Sequence, residues 1–259
     1  MLSEQEKLER IVTLATDLSQ VHDLEILMER IVTEARHFVG ADAGSIYICE
    51  DDILHLRYPQ NDTVQRRLPP GEKLPYSTVT IEINKESVAG YVATTGQVLN
   101  IPDMYHIEPS APYDFNQSVD TENRYETHAT LTVPLLNKTE DVIGVLQVIN
   151  PQDEEGQIVP FSEPDEIIML SFASIAAVAL ERARMTRAIL LRMIRMAEMR
   201  DPKETGAHVN RVAEFAVELY ERWARLKGIG EAVLETNRDI FVWPRCSTMW
   251  GKWVFRTRY

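Results

Sequence analysis

Glu204 and His208 stand four residues apart. In a helix already formed at that point, this spacing sets a carboxylate oxygen and an imidazole nitrogen on one face. Such donors suit a divalent metal, and metal-assisted hydrolysis uses bound metals to activate water and stabilise developing charge. Two ligands do not make a multimetal centre. Catalysis is therefore not expected from this chain, and His208 is expected to be exposed or loosely packed. Thr205-Gly206 offers an alternative helix start that would spoil the spacing.

Strand alternation supplies a second set of polar groups. Between residues 43 and 49, Ile46 and Ile48 form one apolar face, while Ser45, Tyr47 and Cys49 share the other. Farther along, Leu131, Val133 and Leu135 oppose Thr130 and Thr132, and Gln147 interrupts the aliphatic Val145 and Ile149. The clean face is expected to pack on flanking helices. The mixed face is expected to line a cavity, because ligand pockets combine apolar walls with a few polar anchors. The plainer alternative is that these groups meet solvent or buried water. Cys49, alone on its strand, reads as a packing residue.

The elements holding these groups can be placed from periodicity. Leu8, Ile11, Val12, Ala15 and Leu18 predict an amphipathic helix over about 3–20. A second helix follows an Asp23 cap and stops at Gly40. Residues 43–49 and 53–58 alternate as strands around the turn Glu50-Asp51-Asp52, and 78–83 reads as another strand. A short helix over 86–95 closes at Gly96, with an extended piece at 98–101. Residues 102–126 are polar, proline-bearing and aperiodic, a length that marks a functional or mobile loop. Strands at 129–136 and 142–150 precede an apolar helix running from about Phe161 toward Arg200, and a further helix spans 209–226. This order is an α+β layout with an antiparallel sheet.

Composition limits the function classes. The chain has 259 residues, 44% hydrophobic and 26% charged, enough for one packed domain with an appendage. A formal charge of −13 argues against nucleic-acid binding. The arginines at 182, 184, 187, 192 and 195 read as a solvated helix face. Two cysteines give no disulfide framework, the N-terminus has no secretory apolar core, and the apolar stretch over 167–180 is too short to span a membrane. A soluble cytoplasmic protein is expected. Ile168, Ser171, Ile175, Val178, Arg182, Met185 and Ile189 follow three-four spacing, which predicts a parallel homodimer through this helix and the N-terminal one.

Several segments carry a family resemblance. Ser87-Val-Ala-Gly-Tyr-Val-Ala-Thr-Thr-Gly96, Leu99-Asn-Ile-Pro-Asp103, Leu131-Thr-Val-Pro-Leu135 and Val142-Ile-Gly-Val-Leu-Gln-Val-Ile-Asn150 resemble, in order, the GAF domain, a small-molecule sensing module related to PAS domains. The likeness covers about residues 20–185. It implies a pocket whose candidates are Ser45, Tyr47, Thr130, Thr132 and Gln147, joined by Tyr91 of the short helix and by Asp103 and Arg124 of the loop. Cyclic-nucleotide-binding members carry Asn-Lys, then Phe, three residues and Asp-Glu. Asn150, Phe161, Asp165 and Glu166 match, but Pro151 stands at the lysine position. That loss leaves the two carboxylates to serve the next helix start, where its dipole favours them.

Arg200-Asp-Pro-Lys-Glu-Thr-Gly-Ala-His-Val-Asn-Arg-Val212 resembles the opening of the HD-GYP metal-dependent phosphohydrolases, which hydrolyse cyclic di-GMP. The resemblance assigns Glu204 and His208 to metal ligation in an intact parent needing divalent metals such as Fe or Mn. No cofactor is expected in this chain. The tail departs from the rest: no acidic residue follows Asp239, and Trp243, Trp250 and Trp253 crowd it. With Ile240 coded ATC, reading one base earlier permits Leu-His-Asp-Val-Gly-Lys. The junctions Trp243/Pro244, Met249/Trp250, Trp250/Gly251 and Trp253/Val254 are forced to Ala, Val, Gly and Gly, as that family's pattern requires. Residues 241–259 are therefore expected to be an out-of-frame tail, the alternative being a native basic-aromatic one. The resulting division is an N-terminal dimerisation helix 1–20, a GAF sensor 21–166, a connecting helix 167–200, an HD-GYP fragment 201–240 and the tail. The function expected is a sensor regulating an attached phosphodiesterase through a small-molecule or nucleotide ligand; the alternative is a ligand-free dimerisation module.

Overall fold

The computed structural model describes residues 23–69, 74, 79–200 and 206–227. The helix expected over 3–20, Glu204 and the tail 241–259 lie outside them. The chain divides into two compact units between Arg182 and Ala183.

The first unit begins where local chemistry sets it. Asp23 caps α1 (Leu24–Val39), its Oδ1 accepting the Glu25 amide at 2.9 Å, and Gly40 ends it at φ 66°. Strands β1 (Ala41–Glu50) and β2 (Ile53–Asn61) turn through Asp51 and Asp52, both at positive φ. A tight hairpin requires that conformation, and Asp tolerates it. One helical turn, α2 (Asp62–Gln65), is capped by the Asn61 side chain. Then come β3 (Thr80–Glu82), α3 (Val88–Thr95, capped by Ser87) and β4 (Leu99–Ile101). Within the loop after β4 lie a 3-10 turn (Met104–His106) and α4 (Ser118–Asn123). Strands β5 (Thr130–Leu136) and β6 (Val142–Pro151) lead to the long α5 (Glu163–Arg200).

The six strands form one antiparallel sheet in the order β3-β2-β1-β6-β5-β4. Its aliphatic face, with Ile46, Leu131, Val133 and Leu146, packs on α1 and α5 as the alternation predicts. Phe172 of α5 is fully buried, its ring 5.6 Å from that of Phe38. Burying such a side chain contributes about 1.5–3 kcal/mol.

Ile168 corrects the expected seam: it is buried in this core, one turn before Phe172. Three-four spacing could not show which of two adjacent stripes meets the sheet. The stripe left exposed carries Ile167, Val178, Met185 and Ile189.

In the second unit, α6 spans Gly206–Leu226, and Glu204 and Thr205, which bear on the expected four-residue spacing, lie outside the described residues. Phe215 and Leu219 are exposed, whereas Val217 and Ala224, one face around, are buried. Among the described residues no helix is long and apolar enough to cross a membrane.

Candidate functional site

The mixed face of the sheet is occupied by its own side chains. Tyr47 donates its hydroxyl to Gln147 Oε1 (3.2 Å), and Gln147 donates through Nε2 to Thr132 Oγ1 (3.0 Å). Ser45, on the residue pairing with Gln147, hydrogen-bonds the Tyr47 phenol. Burial pushes that phenol above its ordinary ionisation range, the Ser45 bond opposing it. Ser45, Tyr47, Thr132 and Gln147 are all buried, with Ala89 and Val92 of α3 packed over Tyr47, Leu54 and Val145. The expectation that this face lines an open cavity is corrected at these positions. The small side chains of α3 let it approach until the polar groups satisfy one another. Thr130 is fully buried, and its hydroxyl has no partner among the described residues.

The remaining predicted residues lie on the periphery. Tyr91 is half-buried, edge-on to Tyr113 with ring centroids 5.2 Å apart. Asp103 caps the 3-10 turn through the Tyr105 amide at 3.0 Å and lies 2.6 Å from His106 Nδ1. The His106 hydrogen bond holds the Asp103 carboxyl below its usual range, with the Tyr105 amide adding to the effect. Arg124 ends α4 in the left-handed region, φ 50° and ψ 44°.

Arg124 also belongs to the wall of a polar cavity of about 570 Å³, beside the N-terminal end of β1. Asp42, Thr63 and Arg67 form one side of it, and Tyr105, Asp120 and Tyr125 another, with Asn150 and Gln152 of the β6 end between. Asn150 is 2% exposed and sits at φ 53°. Its Oδ1 accepts the His128 amide (2.8 Å), while Nδ2 donates to the Tyr125 hydroxyl (3.0 Å) and the Glu126 carbonyl (2.6 Å). The loop wall is thereby pinned to the sheet.

Asp120 accepts from the Tyr105 hydroxyl (2.8 Å) and from the amide and hydroxyl of Thr127 (2.6 and 2.8 Å). Burial, then the bond to Asp120, pushes the Tyr105 phenol up to about 12. Burial and the adjacent Asp42 raise that of Tyr125. Arg36, itself buried, supports the opposite wall by donating to the Asp42 carbonyl (2.7 Å) and pairing with Asp62 (2.7 Å).

Of the eight pocket candidates, Arg124 alone lies on this cavity. Periodicity overlooked Asp42, Asp120 and Asn150 because their value lies in partners far along the chain. The unusual length of the 102–126 loop was the available signal. The tools of metal binding are not assembled here: among the described residues no group of three His, Cys, Asp or Glu could hold a metal.

The carboxylates after Phe161 serve the start of α5. Asp165 Oδ2 accepts the amide and hydroxyl of Ser162 (2.8 and 2.6 Å), which fixes the first turn. Glu166 instead accepts from Asn100 Nδ2 of β4 (2.8 Å), and that amide also reaches the Phe161 carbonyl (3.1 Å). Edge strand and helix root are therefore tied.

A six-stranded antiparallel sheet with helices on its faces and a polar cavity at its rim defines an α+β domain of the sensor class. The chain belongs to the GAF domain family, whose model matches residues 23–180, more than half of its length. It is 29% identical over 194 residues to the dual 3′,5′-cyclic-AMP and -GMP phosphodiesterase 11 of Drosophila melanogaster, covering 71% of this chain and 12% of that protein. The chain thus spans only a small part of this curated relative.

Two solved structures share the fold. The GAF domain of a phosphoenolpyruvate-protein phosphotransferase from Coxiella burnetii has TM-score 0.54 and 21% identity, covering 72% of this chain and 99% of that one. A free methionine-R-sulfoxide reductase from Neisseria meningitidis, in complex with its substrate, has TM-score 0.53 and 17% identity, covering 72% and 96%.

Proposed function

We propose that this chain is a signal-transduction module whose GAF domain binds a small molecule in the polar cavity and regulates an HD-GYP cyclic di-GMP phosphodiesterase. Residues 201–240 would be an incomplete fragment of that effector. The observation that carries the reading is the Asn100–Glu166 bond. It joins β4, which leads into the loop walling the cavity, to the first turn of α5, which runs unbroken to Arg200. The segment Arg200–Val212, with its HD-GYP resemblance, follows directly. The Drosophila relative is by name a cyclic-nucleotide phosphodiesterase, which supports pairing such a domain with phosphodiester hydrolysis.

The hydrolytic step belongs to the parent domain, with its divalent metals, and not to this chain. The module would act in the cytoplasm as a homodimer through α5 and the segment 3–20 that the sequence predicts as a helix, with Val178, Met185 and Ile189 on the exposed stripe of α5. A second reading, a ligand-free dimerisation module, is favoured by the filled centre of the sheet face.

Sequencing the DNA across codon 240 tests the effector: an adjacent reading frame encoding Leu-His-Asp-Val-Gly-Lys is expected, and its absence discards the assignment. The frame-restored protein should hydrolyse cyclic di-GMP in the presence of Mn²⁺. Mass spectrometry of the purified chain, beside a thermal-shift screen of nucleotides and metabolites, separates ligand binder from empty module.

A further inference from the structure

The cavity wall is unevenly committed. Asp120 is taken up by Tyr105 and Thr127, and Asp42 by Thr63 and Tyr125. The Glu126 side chain is 79% exposed, 3.4 Å from His128. What the wall still offers are the guanidinium groups of Arg67 and Arg124, which only donate, and the amides of Gln117 and Gln152, which donate and accept. Among the described residues neither guanidinium is in an ion pair. Arg67 donates to the Arg124 main-chain carbonyl at 2.5 Å, which brings its guanidinium to the end of α4, where Arg124 also lines the cavity.

Arg124 is the informative residue. It ends α4 with its main-chain amide, bonded to the Asp120 and Thr121 carbonyls, at a φ of 50° that an L side chain adopts only under strain. Glycine or asparagine would end the helix with less strain, so nothing in the turn calls for an arginine. Backbone strain retained in a cavity wall points to use of the side chain.

We propose that this cavity takes a small organic anion, its phosphate or carboxylate held between Arg67 and Arg124 and its polar body hydrogen-bonded by Gln117 and Gln152. This assignment rests on the sensor reading above. Guanidinium forks suit the paired oxygens of either anion, and about 570 Å³ is ample for a metabolite-sized molecule. Ile158 is the one aliphatic side chain in the described wall, so an apolar ligand would leave its hydrogen-bonding groups unmet.

Calorimetry and thermal shift on the full chain, with AMP, citrate and uncharged adenosine as probes, test the proposal. AMP or citrate should bind, and whichever does identifies phosphate or carboxylate as the charged end. Arg67→Gln and Arg124→Gln should each weaken that binding at least tenfold. Arg124→Gly should lose binding equally while unfolding, without probe, at no lower temperature, which separates lost recognition from lost folding. Equal binding by wild type and the double variant overturns the anion assignment, as does adenosine matching AMP. If adenosine or a co-purifying neutral metabolite binds regardless of the arginines, the sensor reading stands and this inference falls. Failure of every probe, with nothing co-purifying, overturns both.

Discussion

Replacing Asn150 by alanine removes the residue that pins the loop wall to the sheet. Three hydrogen bonds go with it, to the His128 amide, the Tyr125 hydroxyl and the Glu126 carbonyl. The tyrosine hydroxyl can turn to water in the cavity, whereas the amide and carbonyl have no ready substitute. At about 1–3 kcal/mol for each buried group left unmet, these two cost roughly 2–6 kcal/mol. Position 150 also sits at φ 53°, which asparagine tolerates and alanine does not, adding about 1 kcal/mol. The sum, roughly 3–7 kcal/mol, is a large share of the 5–15 kcal/mol that holds a typical domain folded.

Equilibrium urea unfolding measures that loss, and hydrogen exchange locates it. Residues 125–129 should lose protection while the β1–β6 pairing keeps its own. Asn150→Gly should be less damaging than alanine by about 1 kcal/mol, because glycine removes the bonds without the strained φ. A loss below about 1 kcal/mol, with exchange at 125–129 unchanged, would refute the view that one side chain holds this wall.

Other outcomes follow from neighbouring contacts. Gly144→Ala would set a Cβ 2.6 Å from the Tyr47 carbonyl oxygen, in a paired strand that cannot retreat, and should cost about 1–3 kcal/mol; an unchanged melting temperature contradicts it. Asn100→Ala should cost about 1–2 kcal/mol and raise hydrogen exchange in β4 and the first turn of α5 together; a rise in only one refutes the tie. Asp103, whose carboxyl is held low by His106, supports its turn fully above the ordinary aspartate value near 3.9 and loses that support as pH falls through the lower folded value. Exchange at 104–106 should therefore be steady at pH 5 and rise below about 4, a small effect for a solvent-facing group, and Asp103→Asn should abolish the step.

What could be read from the sequence was what is decided locally. Asp23 and Gly40 bound α1 because capping and a left-handed stop involve only near neighbours, and Ser87 and Gly96 do the same for α3. The faces of β1 and β5 followed from alternation. The fate of the mixed face did not, because it depends on how closely α3 approaches and on Gln147 finding both Tyr47 and Thr132. The cavity was missed for the same reason: Asp42, Asp120 and Asn150 come together from β1, α4 and β6. On α5, spacing gave an apolar stripe without saying which side would be covered, so Ile168 came out in the core and not on the expected seam.

The Asn100–Glu166 contact links two parts of the domain that lie far apart in sequence. Because an outermost strand and the first turn of α5 share one amide, neither can shift far without straining or breaking that hydrogen bond. Lengthening or shortening the side chain at either position would change the spacing at which strand edge and helix root meet.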